Sequence, residues 1–212
     1  FGWQRLPKVV HLATIWLGAI GVNASAYFII AANSWMQHPV GAVYNTDTGR
    51  AELVDFWAML TNNTALAAFP HAVAGSFLTA ATFVAGIAGW WMVRSARRGE
   101  TGPESDARSM FRPAARLAFV VMIVSGAALA VTGDIQGKLM FDQQPMKMAS
   151  AESLCHTETG ASFSILTIGT HNDCDSVQHI VAIPGLTSFL AESDTGATVQ
   201  GVTELQAQYE QM

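Results

Sequence analysis

Two long stretches without a charged side chain constrain this sequence more than any other feature. No Asp, Glu, Lys or Arg lies between Lys8 and Asp47, and none lies between Asp55 and Arg94. A soluble domain carries about 25% charged residues, whereas this chain carries 13%. One such gap could belong to a core helix of a large soluble protein, but two gaps of this length favour a membrane.

The gaps predict membrane spans. A transmembrane helix needs about 20 apolar residues, with about 17 as the lower limit. A third gap, from Arg116 to Asp134, is long enough for one such helix. The predicted spans lie at about 9–36, 66–93 and 114–133. The sequence therefore predicts an all-α membrane protein with a transmembrane segment over 1–133. The chain begins at Phe1 rather than Met, and we expect it to be the interior of a longer chain.

The Lys and Arg residues predict how the spans are oriented. With three spans, the leading segment and the 94–116 connection share one side, which holds eight of the 11 basic residues. Cytoplasmic segments carry the excess of Lys and Arg. We therefore expect 94–116 to be cytoplasmic, and 37–65 and 134–212 to be extracytoplasmic. With 16 Asp and Glu against 11 Lys and Arg, the chain has no basic excess for a nucleic-acid partner.

The segment after the last span, 134–212, is long enough to be a functional unit of its own. Residues 144–154 can form a short helix. Residues 163–168 and 177–183 have the composition of two strands of a hairpin. A last helix is predicted to begin at Thr203, with the threonine as its N-cap.

The two cysteines of the chain, Cys155 and Cys174, both lie in this tail. Outside the cytoplasm an even pair of cysteines favours a disulfide. The alternative is a metal site that uses His156, His171 or His179. Short ligand spacings such as Cys-x-x-Cys are absent from the sequence, which weighs against the metal.

Of the histidines, His71 is the one clearly inside a predicted span. Ionisable side chains within a membrane are costly and commonly face a cofactor or the protein interior. The positions that share its helix face hold only small residues: Ala67, Ala68, Ala74 and Gly75. A flat ligand such as haem could lie against this face with the imidazole reaching its iron. The alternative is close helix packing, with His71 bonded to a neighbouring helix.

Two further polar pairs carry candidate chemistry. Asn23 and Ser25 lie near the middle of the first span, where they either join helices by hydrogen bonds or line a path for water or protons. Lys147 and Glu152 place a cation and an acid five positions apart. Such positions are about 140° apart on a helix. The two side chains therefore either bracket a ligand or are both solvated.

Several motifs resemble subunit I of cytochrome bd quinol oxidase. They are GWQRL at 2–6, ANSWMQHP at 32–39, FPHAVAG at 69–75 and TGD at 132–134. In addition, Lys147 and Glu152 match the Lys-x-x-x-x-Glu element of the quinol-binding loop of that family. The resemblance covers essentially the whole chain, and the paired cysteines resemble those of actinobacterial members.

The resemblance implies a place within a larger subunit. The family has a nine-helix main subunit in the bacterial plasma (inner) membrane, which it crosses several times. This chain would supply helices 4, 5 and 6, followed by the first part of an extracytoplasmic quinol-binding loop with a short helix and a hairpin.

The resemblance also implies roles for individual residues. His71 would be the axial ligand of haem b558, and the ligands of haems b595 and d would lie outside this segment. Lys147 and Glu152 would act in quinol oxidation, and Ser25 would belong to a cytoplasmic proton route. The implied substrates and partners are a quinol (menaquinol or ubiquinol), O2, a second oxidase subunit, small single-helix subunits and the lipid bilayer.

The activity that the resemblance implies is that of a terminal respiratory oxidase. Quinol would be oxidised at the outer face, and electrons would pass through haem b558 to haems b595 and d, where O2 becomes water. Quinol protons would be released outside, and the protons for O2 reduction would be drawn from inside. The reaction would therefore build a proton gradient without a pump. From the residues alone, a non-enzymatic haem b electron-transfer subunit and a transporter or channel fragment stay open as alternatives.

Overall fold

The computed structural model describes residues 5–100, 102, 105–169 and 174–211. The helices of its first part are α1 (Lys8–Gln37), α2 (Phe56–Leu60), α3 (Asn63–Arg97) and α4 (Arg112–Gln143). Among the described residues, three segments are long and apolar enough to cross a membrane, and they contain α1, α3 and α4. The three predicted spans are confirmed, and each helix extends beyond its predicted bounds.

The chain divides into two compact units, Phe1–Thr132 and Gly133–Met212. The first is called here the helical unit and the second the C-terminal unit. The boundary falls within α4, close to the position at which the charge-free part of the sequence ends.

The long helices of the helical unit bury small side chains and expose large ones. The buried residues include Ala31, Ala74, Ala81, Ala88, Ala115 and Ala118. The exposed residues include Trp16, Ile20, Phe83 and Ile123. Lipid tails are as apolar as these large side chains, so helices in a membrane associate where small residues let their backbones approach. The pattern is that expected of helices surrounded by lipid or by further helices.

A structured connection joins α1 to α3, and the sequence analysis did not predict it. Strands β1 (Ala42–Asn45) and β2 (Arg50–Leu53) form an antiparallel hairpin. The Asp55 carboxylate then caps α2 by accepting hydrogen bonds from the backbone of the next turn. Tyr27 of α1 donates a hydrogen bond to the Leu60 carbonyl, which ties this connection to the first span.

The C-terminal unit contains short helices and strands. They are α5 (Pro145–Ala151), β3 (Glu158–Thr159), β4 (Phe163–Ile168), β5 (Gln178–Ile183), α6 (Leu186–Glu192), β6 (Thr198–Val199) and α7 (Val202–Tyr209). Strands β4 and β5 pair antiparallel, which confirms the predicted hairpin, and β3 pairs antiparallel with β6.

A small apolar core holds the C-terminal unit together. Its buried members are Ala149, Leu154, Ala161, Ala191, Val199 and Leu205. Phe141, from the end of α4, and Met146, from α5, pack against this cluster. The core therefore fixes α5, the helix that carries Lys147, against the rest of the unit.

The predicted start of the last helix is wrong. Helix α7 begins at Val202 with Gly201 as its N-cap, and Thr203 lies inside the helix. The N–H groups of Val202 and Thr203 donate to the carbonyls of Leu154 and Cys155, at 2.9 and 3.0 Å. A neighbouring loop, rather than a side-chain cap, thus accepts the hydrogen bonds of the N–H groups in the first turn. Sequence spacing does not show such a tertiary contact.

Candidate functional site

Helix α3 places His71 about two turns from its start, directly after Pro70. The imidazole is half-buried, and its Nδ1 lies 3.1 Å from the Thr132 hydroxyl oxygen of α4. This is the bond to a neighbouring helix that the packing alternative requires. The bond occupies Nδ1 and leaves the other ring nitrogen, Nε2, available to bind a ligand.

The small face around His71 is present in the structure. Ala74 is buried, and Ala67 and Ala68 are half-buried. A methyl group built on Gly75 would lie 3.8 Å from the Leu129 Cδ2 atom of α4, so α3 and α4 lie side by side at this level. A face made of side chains no larger than a methyl group presents little obstacle to a broad, flat ligand.

Helix α5 carries the second predicted pair. It ends at Ala151 with Glu152 as its C-cap, and Ser153 follows in the left-handed conformation, with φ of 55°. The Leu154 N–H donates to the Ala149 carbonyl at 2.8 Å, and the Ser153 N–H donates to the Ser150 carbonyl at 3.2 Å. These two bonds form a Schellman motif, which reverses the chain and buries Leu154 beneath the helix end. The position of Glu152 is therefore set by a closed helix terminus.

The two members of this pair have different surroundings. Lys147 is exposed, whereas Glu152 is half-buried. Burial raises the pKa of the Glu152 carboxyl above its ordinary value, because a low-dielectric environment penalises the charged form. Of the two sequence alternatives for Glu152, simple solvation does not describe this environment. A carboxyl with a raised pKa is suited to exchange protons nearer neutral pH.

The two cysteines are bonded to each other. Cys155 and Cys174 form a disulfide with a Cα–Cα separation of 5.5 Å. The bond anchors the loop that directly follows Leu154. Among the described residues, no group of three or more His, Cys, Asp or Glu side chains is placed to hold a metal ion. His171, named in the metal alternative, lies outside the described residues.

The disulfide gives a direct prediction. A non-reducing digest of the protein should contain the peptides of Cys155 and Cys174 joined to each other. Replacing both cysteines with serine should destabilise the C-terminal unit by about 3 kcal/mol, since the bond closes a loop of 19 residues. The readout is faster limited proteolysis within 134–212. Free thiols at both positions in the oxidised protein would contradict the assignment.

A second contact, which sequence reasoning missed, holds α7 to the same loop. The Thr157 N–H and hydroxyl donate to Glu204 Oε2 at 3.0 and 3.2 Å. The pKa of Glu204 is lowered by hydrogen bonds from its own backbone N–H and from Thr157, and by the charge of His156. This stabilisation is present above the ordinary carboxyl pKa and is lost as pH falls through the lowered one. An acidic residue in a first helical turn was the available sequence signal.

The surroundings of the polar residues of the first span, Asn23 and Ser25, do not indicate a specific function. Ser25 is exposed on α1. The Asn23 side chain donates to the Ala19 carbonyl at 2.8 Å. Asn23 also lines a cavity of about 310 Å³ between α1 and α3 whose other walls are mostly apolar. This cavity does not have the continuous polar lining that a channel for ions requires.

Comparisons with known proteins agree with one another. The family described as cytochrome bd terminal oxidase subunit I matches residues 1–211. The chain is 34% identical over 214 residues to cytochrome bd ubiquinol oxidase subunit 1 of Bacillus subtilis (strain 168), covering 100% of this chain and 43% of the relative. It is 30% identical over 208 residues to cytochrome bd-II ubiquinol oxidase subunit 1 of Escherichia coli (strain K12), covering 98% and 38%.

A solved structure is also similar. The bd oxidase from Geobacillus thermodenitrificans matches with a TM-score of 0.74 and 27% sequence identity. The match covers 96% of this chain and 44% of that chain. This chain therefore spans less than half the length of the relatives that it matches.

Proposed function

The chain belongs to the cytochrome bd terminal oxidase subunit I family, and on that premise we propose that it is the part of a terminal quinol oxidase that oxidises quinol and binds the first haem to receive the electrons. The observation that carries the proposal is the pairing of two features in one chain. One is a membrane-span histidine with a ring nitrogen left for a ligand. The other is a half-buried carboxyl at a closed helix end outside the spans.

We assign His71 as an axial ligand of haem b558. The residues present fit a haem, because the Thr132 contact holds Nδ1 and the side chains on the helix face around the imidazole are small. An axial histidine needs one nitrogen for iron and commonly donates its other N–H to a neighbouring hydrogen-bond acceptor. Haem supplies a one-electron redox couple when bound.

We assign quinol oxidation to Glu152 and Lys147. A quinol gives up two electrons and two protons when it becomes a quinone. The Glu152 carboxylate accepts a hydroxyl proton, for which its raised pKa suits it. The Lys147 ammonium donates a hydrogen bond to a quinol oxygen. Because Lys147 and Glu152 are about 140° apart around α5, they act on different atoms of the substrate rather than as an ion pair.

We infer the sidedness of the segments from the charge distribution. The chain is part of a multi-pass bacterial membrane protein. We propose that 94–116 is cytoplasmic, because it carries most of the Lys and Arg, and that 37–65 and 134–212 are extracytoplasmic. Protons released from quinol then leave on the outer side. Ser25 is proposed to belong to the route by which protons enter from the cytoplasm.

For the complete protein we propose the remaining parts of the oxidase. Haems b595 and d are held by residues outside this chain, and O2 is reduced to water. A second subunit and small single-helix subunits complete the assembly, and the donor is menaquinol or ubiquinol.

A pigment assay of the complete oxidase tests this proposal. The pyridine haemochrome of the purified assembly should show haem d together with haem b. Haem b alone would indicate a non-enzymatic electron carrier instead. The absence of both pigments would indicate a transporter or channel.

A further inference from the structure

The Thr132 hydroxyl has three partners, and the third, the Leu129 carbonyl at 3.5 Å, is like the Ala128 carbonyl an acceptor only. Thr132 Oγ1 is 2.7 Å from the Ala128 carbonyl oxygen and 3.1 Å from His71 Nδ1. A carbonyl oxygen only accepts hydrogen bonds, and a hydroxyl has one hydrogen to donate. The hydroxyl therefore donates to Ala128 and accepts from His71. The neutral imidazole must then carry its hydrogen on Nδ1, which leaves the lone pair on Nε2.

We propose that Thr132 is a positioning residue for the haem ligand His71, since it selects the tautomer that binds iron through Nε2 and fixes the plane of the ring. The inference rests on the proposed function, namely on haem ligation by His71. The two residues lie 61 positions apart on α3 and α4, so the bond sets the ring against both helices at once.

The bond also affects the strength of the ligand. An imidazole whose N–H donates to an acceptor is a more basic ligand than one without such a partner. A more basic ligand favours ferric over ferrous iron. Thr132 should therefore lower the reduction potential of the haem relative to a protein without this hydroxyl.

Other threonines in the spans provide a matched comparison. Thr79 and Thr82 on α3 donate to the carbonyls of Gly75 and Leu78, at 2.9 and 2.8 Å. The bond to the carbonyl four positions earlier is thus common to threonines in these helices. Thr132 differs from them because its oxygen also accepts from a histidine on another helix.

The test is the substitution Thr132→Val in the complete oxidase, which keeps the shape of the side chain and removes the acceptor. The ferric preference of haem b558, the low-spin haem that His71 is proposed to bind, should fall about threefold. This corresponds to a rise of about 28 mV in midpoint potential, at 59 mV per tenfold change for one electron. The low-spin ferric EPR signal should shift as well. Thr132→Ser keeps the hydroxyl and should restore both readouts, and Thr82→Val should change neither.

Each result of these substitutions either supports or contradicts the role of Thr132. A Thr132→Val protein with the wild-type potential and EPR signal would overturn the proposal. Loss of the haem from Thr132→Val, with retention in Thr132→Ser and Thr82→Val, would support it, whereas loss from Thr132→Ser would contradict it. If the low-spin haem survives in His71→Ala, the proposed ligand is wrong, and that failure is separate from any result at Thr132.

Discussion

Replacing His71 with alanine should remove the low-spin b-haem band from the reduced-minus-oxidised spectrum of the complete oxidase. The low-spin state depends on two strong axial ligands, and alanine supplies no atom that binds iron. Loss of a group that merely supports a metal ligand costs about 10–100-fold. Loss of the ligand should therefore lower quinol oxidase activity by more than about 100-fold.

His179→Ala is a suitable control for this experiment. His179 is an exposed histidine on β5 whose Nδ1 lies 3.3 Å from the Thr167 hydroxyl. Its removal should leave the spectrum unchanged. Survival of the low-spin band in His71→Ala, at wild-type intensity, would show that another residue holds this haem.

Replacing Glu152 with glutamine should slow quinol oxidation on the order of 100-fold, the lower end of the range for loss of a general base. The raised pKa of Glu152 gives a second signature. Only the ionised carboxylate accepts a proton, so the wild-type rate should rise with pH through a pKa above the ordinary carboxyl range. The Glu152→Gln protein should lack this rise.

A second electron donor separates this role from a general defect. O2 reduction driven by an artificial donor that bypasses the quinol site should be nearly unaffected in Glu152→Gln. Glu192→Gln removes an exposed carboxylate from the same unit and should leave both activities intact. Equal slowing with both donors would show that Glu152 acts elsewhere in the protein.

The membrane spans could be predicted from the sequence because their cause is local. The absence of charge between Lys8 and Asp47 excludes most alternatives without knowledge of any contact. The ends of the helices were harder to predict. Helix α4 continues to Gln143, past the charged residues that ended the predicted span, because a helix that leaves the membrane no longer needs an apolar surface.

The candidate site was only partly predictable, because its contacts join residues that are distant in the sequence. His71 and the pair Lys147 and Glu152 were proposed as site residues from residue type and from family resemblance. The partner of His71, Thr132, is 61 positions away, and no local pattern connects the two. Glu152 directly precedes the turn at Ser153, whose left-handed backbone is not a usual choice for serine. Contacts between distant elements, rather than residue types, set the chemistry of these groups.

The most direct test of quinol oxidation at Glu152 is the rate at which quinol reduces the low-spin haem when oxygen is absent. Oxidised complete oxidase is mixed with quinol, and the low-spin band is followed in the wild type and in Glu152→Gln, with dithionite as the control reductant. We expect quinol to reduce the haem of Glu152→Gln on the order of 100-fold more slowly than that of the wild type, and dithionite to reduce both at the same rate. Reduction by quinol at the same rate in both proteins would contradict quinol oxidation at Glu152.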